Sequence, residues 1–249
     1  MVKQFFLLCL MGLTTSLVHA EKINLKGSDG FDLYGDYKAA SSHSSKGVLM
    51  LHQCNADRGM YIDLAAQLAE SGFSSMSLDF RGFGESSTQE MSITAIRSKA
   101  KSREHYFELV EKAGLGSHRK NDVELAYQFL LEKLGDEASI SVIGASCGGT
   151  QAVVLAQKHN LNSFIFFSSG MNDATIELFS NVSHVPALMI AAQKDEYTFK
   201  SLNKIFLAAE SKKTRLLSYK GNGHGIPLFK QDPGLQDMMV EWFKQHSTD

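Results

Sequence analysis

The segment Gly144-Ala145-Ser146-Cys147-Gly148 has the residue types and spacing best suited to covalent chemistry in this sequence. It follows a short apolar run and precedes a stretch with helical periodicity. A serine in a sharp turn between a strand and a helix projects its hydroxyl clear of the sheet, near the positive end of the helix dipole. We therefore predict that Ser146 is a nucleophile. Taken alone, the motif also fits an ordinary glycine-rich turn.

A serine hydroxyl reacts only when a base takes its proton and a carboxylate orients that base. His224 lies in a glycine-rich segment after the last predicted strand, and Asp195 follows the predicted strand Ala187–Ala191. Serine, acid and histidine occur here in the chain order typical of G-x-S-x-G enzymes. We predict that Ser146, His224 and Asp195 form a catalytic triad.

Other residues could fill these roles. Glu196 is the alternative acid, and Cys147, one residue out of register, is an alternative nucleophile. Weaker candidates for the base are His52, His159 and His184. Asp195 could instead cap a helix, and His224 could be an ordinary surface histidine.

Short apolar strands alternate with amphipathic helices along the chain. The predicted strands are Lys22–Lys26, Phe31–Tyr37, Gly47–Leu51, Phe73–Phe80, Ser139–Gly144, Phe164–Phe167, Ala187–Ala191 and Arg215–Tyr219. The predicted helices are Tyr61–Glu70, Asp122–Leu134, Thr150–His159, Thr175–Phe179, Phe199–Glu210 and Leu235–His246. This alternation is typical of the α/β class, with a mostly parallel sheet covered by helices on both faces.

The first 20 residues resemble a secretory signal peptide rather than part of the fold. Lys3 precedes the apolar run Phe5–Leu13, and the small-residue ending Val18-His19-Ala20 fits cleavage after Ala20. The run is shorter than the roughly 20 residues of a membrane span. We expect an exported domain, periplasmic or secreted, of 249 − 20 = 229 residues with no stable membrane insertion after cleavage. A buried first helix or a retained anchor is the alternative.

Residues 21–249 are predicted to form one domain, since 43% hydrophobic residues can build a single sizeable core. Residues at about 85–120 read as a small, irregular, cap-like excursion over the top of the sheet. Its apolar residues could line a pocket or simply anchor the segment; they are Ile93, Ile96, Tyr106, Phe107 and Leu109.

The composition of the chain argues against some classes of binding partner. A net charge of −2 and the absence of a block rich in lysine and arginine argue against nucleic acid. No spacing of histidine, cysteine and aspartate matches a zinc or iron site, and no glycine-rich phosphate loop is present, so we expect no metal and no cofactor.

Two further segments carry a family resemblance. The run from Asp79 to Ser86, DFRGFGES, is similar to the D-x-R-G-x-G-x-S loop of the α/β-hydrolase superfamily, and Leu51-His52-Gln53-Cys54 is similar to that family's His-Gly-x segment. Together with the triad order, residues 21–249 resemble this superfamily along essentially their whole length. Only the short segment Ser168–Val185 separates the sixth predicted strand from the strand that precedes Asp195. In this respect the chain resembles the family's compact, dienelactone-hydrolase-like and small serine esterase branch. The resemblance implies a structural role for Asp79 and Arg81, which are expected to bond locally.

The resemblance also implies an oxyanion hole. By position its backbone N–H donors are Cys54 and Cys147, with Gln53, which replaces the family's glycine, as the next candidate. Two donors that bind one oxygen lie close together, so the Cα atoms of these cysteines could fall within the roughly 4.4–6.8 Å that a disulfide spans. We expect proximity. A disulfide fits, and so do two small buried side chains that point apart.

The predicted function is that of an exported carboxylesterase that cleaves small or medium esters through an acyl-enzyme, with a small-molecule ester or acyl compound as its substrate. An acyltransferase or a peptidase could use the same triad. A non-catalytic exported binding protein with this fold is a further alternative, against which the complete triad argues.

Overall fold

The structure, a computed structural model, describes residues 19–247, so most of the predicted signal peptide, residues 1–18, lies outside the described residues. The described strands are β1 (Glu21–Lys26), β2 (Asp32–Lys38), β3 (Lys46–Leu51), β4 (Ser74–Leu78), β5 (Ser139–Ala145), β6 (Phe164–Phe167), β7 (Ala187–Ala192) and β8 (Arg215–Tyr219). The α-helices are α1 (Ile62–Glu70), α2 (Ile93–Lys99), α3 (Arg103–Lys112), α4 (Arg119–Leu134), α5 (Cys147–Ala156), α6 (Asp173–Ser180), α7 (Glu196–Ala208), α8 (Ile226–Gln231) and α9 (Leu235–His246). In this described range, no helix is both long and apolar enough to cross a membrane.

The strands form one sheet in the order β1-β2-β4-β3-β5-β6-β7-β8. The pairs β1–β2 and β2–β4 are antiparallel, and every other neighbouring pair is parallel. This architecture confirms the predicted α/β class. Because the carboxyl ends of parallel strands meet at one edge of a sheet, the loops after β3, β5, β7 and β8 converge there.

Burial of the central strands on both faces explains their apolar sequences. Every residue of β5, β6 and β7 is buried. One face packs against α4 and α5 and the other against α1 and α9, so two hydrophobic cores flank the sheet. An apolar stretch of four to seven residues is stable as a strand here because helices cover both sides.

Two local differences from prediction lie beside the candidate site. Helix α5 begins at Cys147, three residues earlier than the predicted start at Thr150, because Gly148 and Gly149 take helical positions against neighbouring backbone and side chains. Helix α8 was not predicted. It has six residues, and its only buried side chain is Leu228, so tertiary packing rather than sequence periodicity stabilises it.

The expectation that Arg81 bonds locally was wrong. Its guanidinium is buried and pairs with Asp122 of α4 through two hydrogen bonds of 3.0 and 2.9 Å, and with Asp29 at 2.5 Å. These partners are 41 and 52 residues away in sequence. The pairing lowers the pKa of Asp29 to about 2. Arg81 therefore ties the loop after β4 to the β1–β2 hairpin and to α4.

Candidate active site

Ser146 occupies the tight turn between β5 and α5. Its backbone has φ 50° and ψ −117°, a conformation that non-glycine residues rarely adopt, and its N–H donates to the carbonyl of Phe167 in β6 at 2.9 Å. A Cβ on Gly148 would lie 2.4 Å from the carbonyl oxygen of Leu51. The glycine therefore lets α5 approach the end of β3, and this approach forces the sharp turn that presents the serine hydroxyl.

His224 and Asp195 reach Ser146 from two other strand ends. His224 Nε2 lies 2.9 Å from Ser146 Oγ, and His224 Nδ1 lies 2.6 Å from Asp195 Oδ2. A carboxylate only accepts hydrogen bonds, so Nδ1 carries the proton and Nε2 is left to accept from the serine hydroxyl. The structure thus brings the three predicted triad residues into one hydrogen-bonded series.

The loop that carries His224 is held by its neighbours. The N–H of Gly225 donates to Ser168 Oγ at 2.9 Å, and the N–H of Ile226 donates to Gln53 Oε1 at 3.1 Å. Gly225 has φ 68°, and a Cβ there would lie 1.6 Å from Gln53 Oε1. Gln53 is buried, so its amide and the glycine fit together where the loops after β3 and β8 meet.

The structure places the alternative histidines elsewhere. His52 is fully buried, its Nδ1 donates to the Gln53 carbonyl at 2.8 Å, and its Nε2 accepts from the N–H of Phe80 at 2.9 Å. Burial lowers the pKa of His52 to about 4. His159 pairs with Glu124 at 2.7 Å, and His184 precedes β7, away from the strand ends that carry Ser146.

The alternative acid and nucleophile are engaged in other interactions. The exposed Glu196 pairs with Lys200 of its own helix at 3.3 Å. Cys147 forms a disulfide with Cys54, with the Cα atoms 5.8 Å apart. A disulfide sulfur is not a thiolate, so Cys147 is not the nucleophile of this form of the protein. The expected proximity of the two cysteines is confirmed, and they are bridged.

The disulfide joins the two positions predicted to form the oxyanion hole. Cys54 follows β3, and Cys147 is the first residue of α5. Within residues 19–247, neither backbone N–H has a hydrogen-bond acceptor. An N–H in the first turn of a helix has no intrahelical partner and is available to an anion. Both donors are therefore free to bind an oxygen beside Ser146.

The excursion at 85–120 forms one wall of a cavity of about 720 Å³ that opens onto Ser146 and His224. The predicted apolar residues that line it are Ile93, Tyr106 and Phe107. Ile96 is buried and Leu109 packs against the core, so the segment both lines the cavity and anchors itself.

Two of the arginines that line the cavity were not predicted from the sequence. Arg97 of α2 donates to the carbonyl of Cys54 at 2.6 Å and so ties the excursion to the disulfide loop. Arg119 of α4 lines the cavity with a largely buried guanidinium. Their places in the cavity depend on the tertiary fold, so no local sequence pattern indicates them. Among the described residues, no group of three histidine, cysteine or acidic side chains is placed to hold a metal ion.

A family profile described as alpha/beta hydrolase fold matches residues 47–185, and no curated protein matches the sequence. A dienelactone hydrolase from Anabaena variabilis ATCC 29413 is 16% identical over 94% of this chain and 100% of its own, with a TM-score of 0.64. The Pyrococcus furiosus esterase Pf2001 is 14% identical over 92% and 93%, with a TM-score of 0.67.

A soluble variant of monoglyceride lipase from Saccharomyces cerevisiae, solved with a substrate analogue, is 14% identical over 96% of this chain and 98% of its own, with a TM-score of 0.63. At these identities the likeness is one of fold. These proteins share the architecture over nearly their full length.

Proposed function

Because the match over residues 47–185 shows that this chain belongs to the α/β-hydrolase fold family, we propose that it is an exported serine carboxylesterase that cleaves small or medium esters through an acyl-enzyme. The predicted family resemblance is confirmed, and the esterase and dienelactone hydrolase structures agree with the predicted compact branch. The observation that carries the proposal is the hydrogen-bonded series from Asp195 through His224 to Ser146.

The proposed chemistry follows from that series. His224 Nε2 takes the Ser146 proton as Oγ attacks the ester carbonyl, and Asp195 stabilises the imidazolium that forms. The N–H groups of Cys54 and Cys147 hold the oxyanion of the tetrahedral intermediate. The intermediate collapses and the bond to the alkoxide breaks; His224 gives its proton to the alkoxide, which leaves as the alcohol, and the acyl group stays bonded to Ser146 Oγ.

The second half of the reaction restores the enzyme. His224 takes a proton from water, the hydroxide attacks the acyl carbonyl, and the same oxyanion donors stabilise the new intermediate. Collapse breaks the bond to Ser146 Oγ, which recovers its proton from His224 Nε2. One ester and one water become one carboxylic acid and one alcohol.

Export is part of the same proposal and rests on two features. Residues 1–20 have the pattern of a secretory signal peptide. The bridge between Cys54 and Cys147 is of a kind that persists in oxidising compartments and is rare in the cytosol. We therefore expect the working protein in the periplasm or the medium, beginning at Glu21.

A fluorophosphonate probe tests the proposal. We expect one probe adduct on the wild type, measured by intact mass on a chain that begins at Glu21, and no adduct on Ser146→Ala. Ester hydrolysis by Ser146→Ala should fall at least about a thousandfold, because the nucleophile is absent. Ser180→Ala, at an exposed serine of α6, is the matched control and should label fully. Equal labelling of wild type and Ser146→Ala would contradict the assigned nucleophile.

A further inference from the structure

The cavity above Ser146 combines apolar walls with positive charge. Three arginines line it, one each from α2, α3 and α4, namely Arg97, Arg103 and Arg119. No aspartate or glutamate is among the described residues that line it. A neutral ester alone would need only the apolar wall, so the arginines indicate that part of the ligand is anionic.

Two of the three arginines are exposed, so solvent stabilises their charges. Arg97 is exposed and donates to the Cys54 carbonyl, which uses part of its guanidinium. Arg103 is also exposed, at the start of α3, with its guanidinium carbon 5.8 Å from the centre of the Phe107 ring. Neither is a buried charge that requires a partner.

Arg119 differs because its charge is largely buried and its donors are unused. In the described part of the chain its side chain makes no hydrogen bond or ion pair, and its Nε is buried without an acceptor. Its guanidinium carbon lies 5.0 Å from the centre of the Phe80 ring, a cation–π contact that uses none of its N–H groups as hydrogen-bond donors. A buried, unpaired charge is costly, so such a group is commonly found where a ligand supplies the counter-charge.

The carboxylates near Arg119 do not fill this role. Asp122 lies one turn further along α4, but both of its oxygens accept from Arg81. Burial lowers the pKa of Arg119, and the charge of Asp122 offsets this only in part. An arginine stays protonated at neutral pH even so. The guanidinium therefore remains charged and without a partner of its own.

We infer that Arg119 binds an ionised carboxyl group of the substrate, so that the preferred esters carry a carboxylate at the end remote from the scissile bond. This inference rests on the proposed esterase function and specifies its substrate class. The planar N–H edge of a guanidinium matches the two oxygens of a carboxylate.

Matched pairs of esters test the inference. The probes are the mono-4-nitrophenyl esters of adipic, pimelic and suberic acid and the same compounds with the free carboxyl capped as a methyl ester. These chain lengths are chosen because shorter half-esters cleave themselves through their own carboxylate. For at least one length, we expect the wild type to show a kcat/KM about ten- to a hundredfold higher for the charged ester than for its capped partner, the range expected for charged hydrogen bonds.

The same ratio measured on variants assigns the effect to Arg119. In Arg119→Met the ratio of charged to capped ester should fall to about one, and Arg119→Lys should recover part of it because the charge returns without the planar fork. Arg215→Met, at an exposed arginine of β8 outside the cavity, should keep the wild-type ratio. Free pimelate should also inhibit the wild type competitively and more strongly than dimethyl pimelate, a result that needs no variant.

The outcomes separate this inference from the proposed function. A wild type that hydrolyses the capped esters but shows no preference for any charged one would overturn the role of Arg119 and leave the esterase standing. Hydrolysis of none of the esters, with no fluorophosphonate adduct, would instead refute the proposed function. A preference that survives in Arg119→Met would place the anion site elsewhere.

Discussion

Gln53 occupies a position at which the α/β-hydrolase family usually has glycine, and its side chain has a structural role there. Its amide lies between two loops: Oε1 accepts from the N–H of Ile226 at 3.1 Å, and Nε2 donates to Asn55 Oδ1 at 2.5 Å. Space for it exists because residue 225 is a glycine. The consequence is that the loop after β3 directly positions the loop that carries His224.

We expect Gln53→Leu to lower kcat about ten- to a hundredfold with little change in KM, because the Ile226 N–H loses its acceptor and the base shifts relative to Ser146. Steady-state hydrolysis of 4-nitrophenyl butyrate measures this. Gln53→Glu keeps an acceptor and should recover part of kcat. Gln231→Leu, at an exposed glutamine of α8, is the control. If Gln53→Leu is less stable than the wild type but keeps the wild-type kcat per folded molecule, Gln53 contributes only to packing and does not position His224.

At the scale of elements, β3 and β4 are joined at their carboxyl ends by the imidazole of His52. The ring donates to Gln53 on one side and accepts from the N–H of Phe80 on the other, and it packs 4.4 Å from the Phe80 ring and 5.1 Å from the Phe83 ring, centre to centre. An acceptor at Nε2 requires the neutral ring. Protonation would therefore break the link between the two loops.

The stability of the fold should consequently depend on pH through His52. Its pKa is about 4 when folded, against an ordinary value of 6.5, so between these values the unfolded chain binds more protons. The free energy of unfolding should fall as the pH drops below 6.5, by about 3 kcal/mol once the pH is below 4. Urea unfolding at pH 7.0 and 4.5 measures the loss.

The variant His52→Asn isolates this contribution. It should be less stable than the wild type at pH 7.0 but should lose less stability on acidification, because it has no imidazole to protonate. Other groups titrate in both proteins: burial raises the pKa of Asp79 and lowers that of His246, and the pKa of Asp29 is about 2. The difference between the two proteins therefore isolates His52. Equal losses in both proteins between pH 7.0 and 4.5 would show that His52 does not control the acid sensitivity.

For the whole molecule, the disulfide joins segments that are 93 residues apart in sequence and meet at the centre of the sheet edge. It closes a long loop of the unfolded chain, which restricts that state more than the folded one. It also fixes the relative position of the two proposed oxyanion donors. One covalent bond thus contributes both to global stability and to the geometry beside Ser146.

Removal of the bridge should lower the free energy of unfolding by about 2–4 kcal/mol, the usual range for a native disulfide. The measurement is the melting temperature of the wild type with and without reductant, after the reductant has acted on the unfolded protein. A double variant Cys54→Ser, Cys147→Ser should melt at the lower temperature and should not respond to reductant. A wild type that melts equally in both conditions would show that the bridge does not stabilise the fold.

Much of this organisation is accessible from sequence because it is local. The apolar runs of β5, β6 and β7 predict buried strands, because so short a run of apolar residues is typical of a strand that is covered on both faces of its sheet. The order of Ser146, Asp195 and His224, each after such a strand, predicts that they meet at one sheet edge. The six-residue α8 has no periodicity to detect, and the partners of Arg81 lie 41 and 52 residues away, beyond the reach of any local pattern.

The sequence by itself thus determined the α/β class and which side chains can do chemistry, because strand periodicity and residue type are properties of short segments. Only the tertiary structure decided that Cys54 and Cys147 are bridged, that Gln53 holds the His224 loop, and that the side chain of Arg119 has no hydrogen-bond or ion-pair partner within the described residues. Each of these depends on contacts between segments distant in the chain. Whether a charge is paired or left for a ligand is set by what the fold brings beside it.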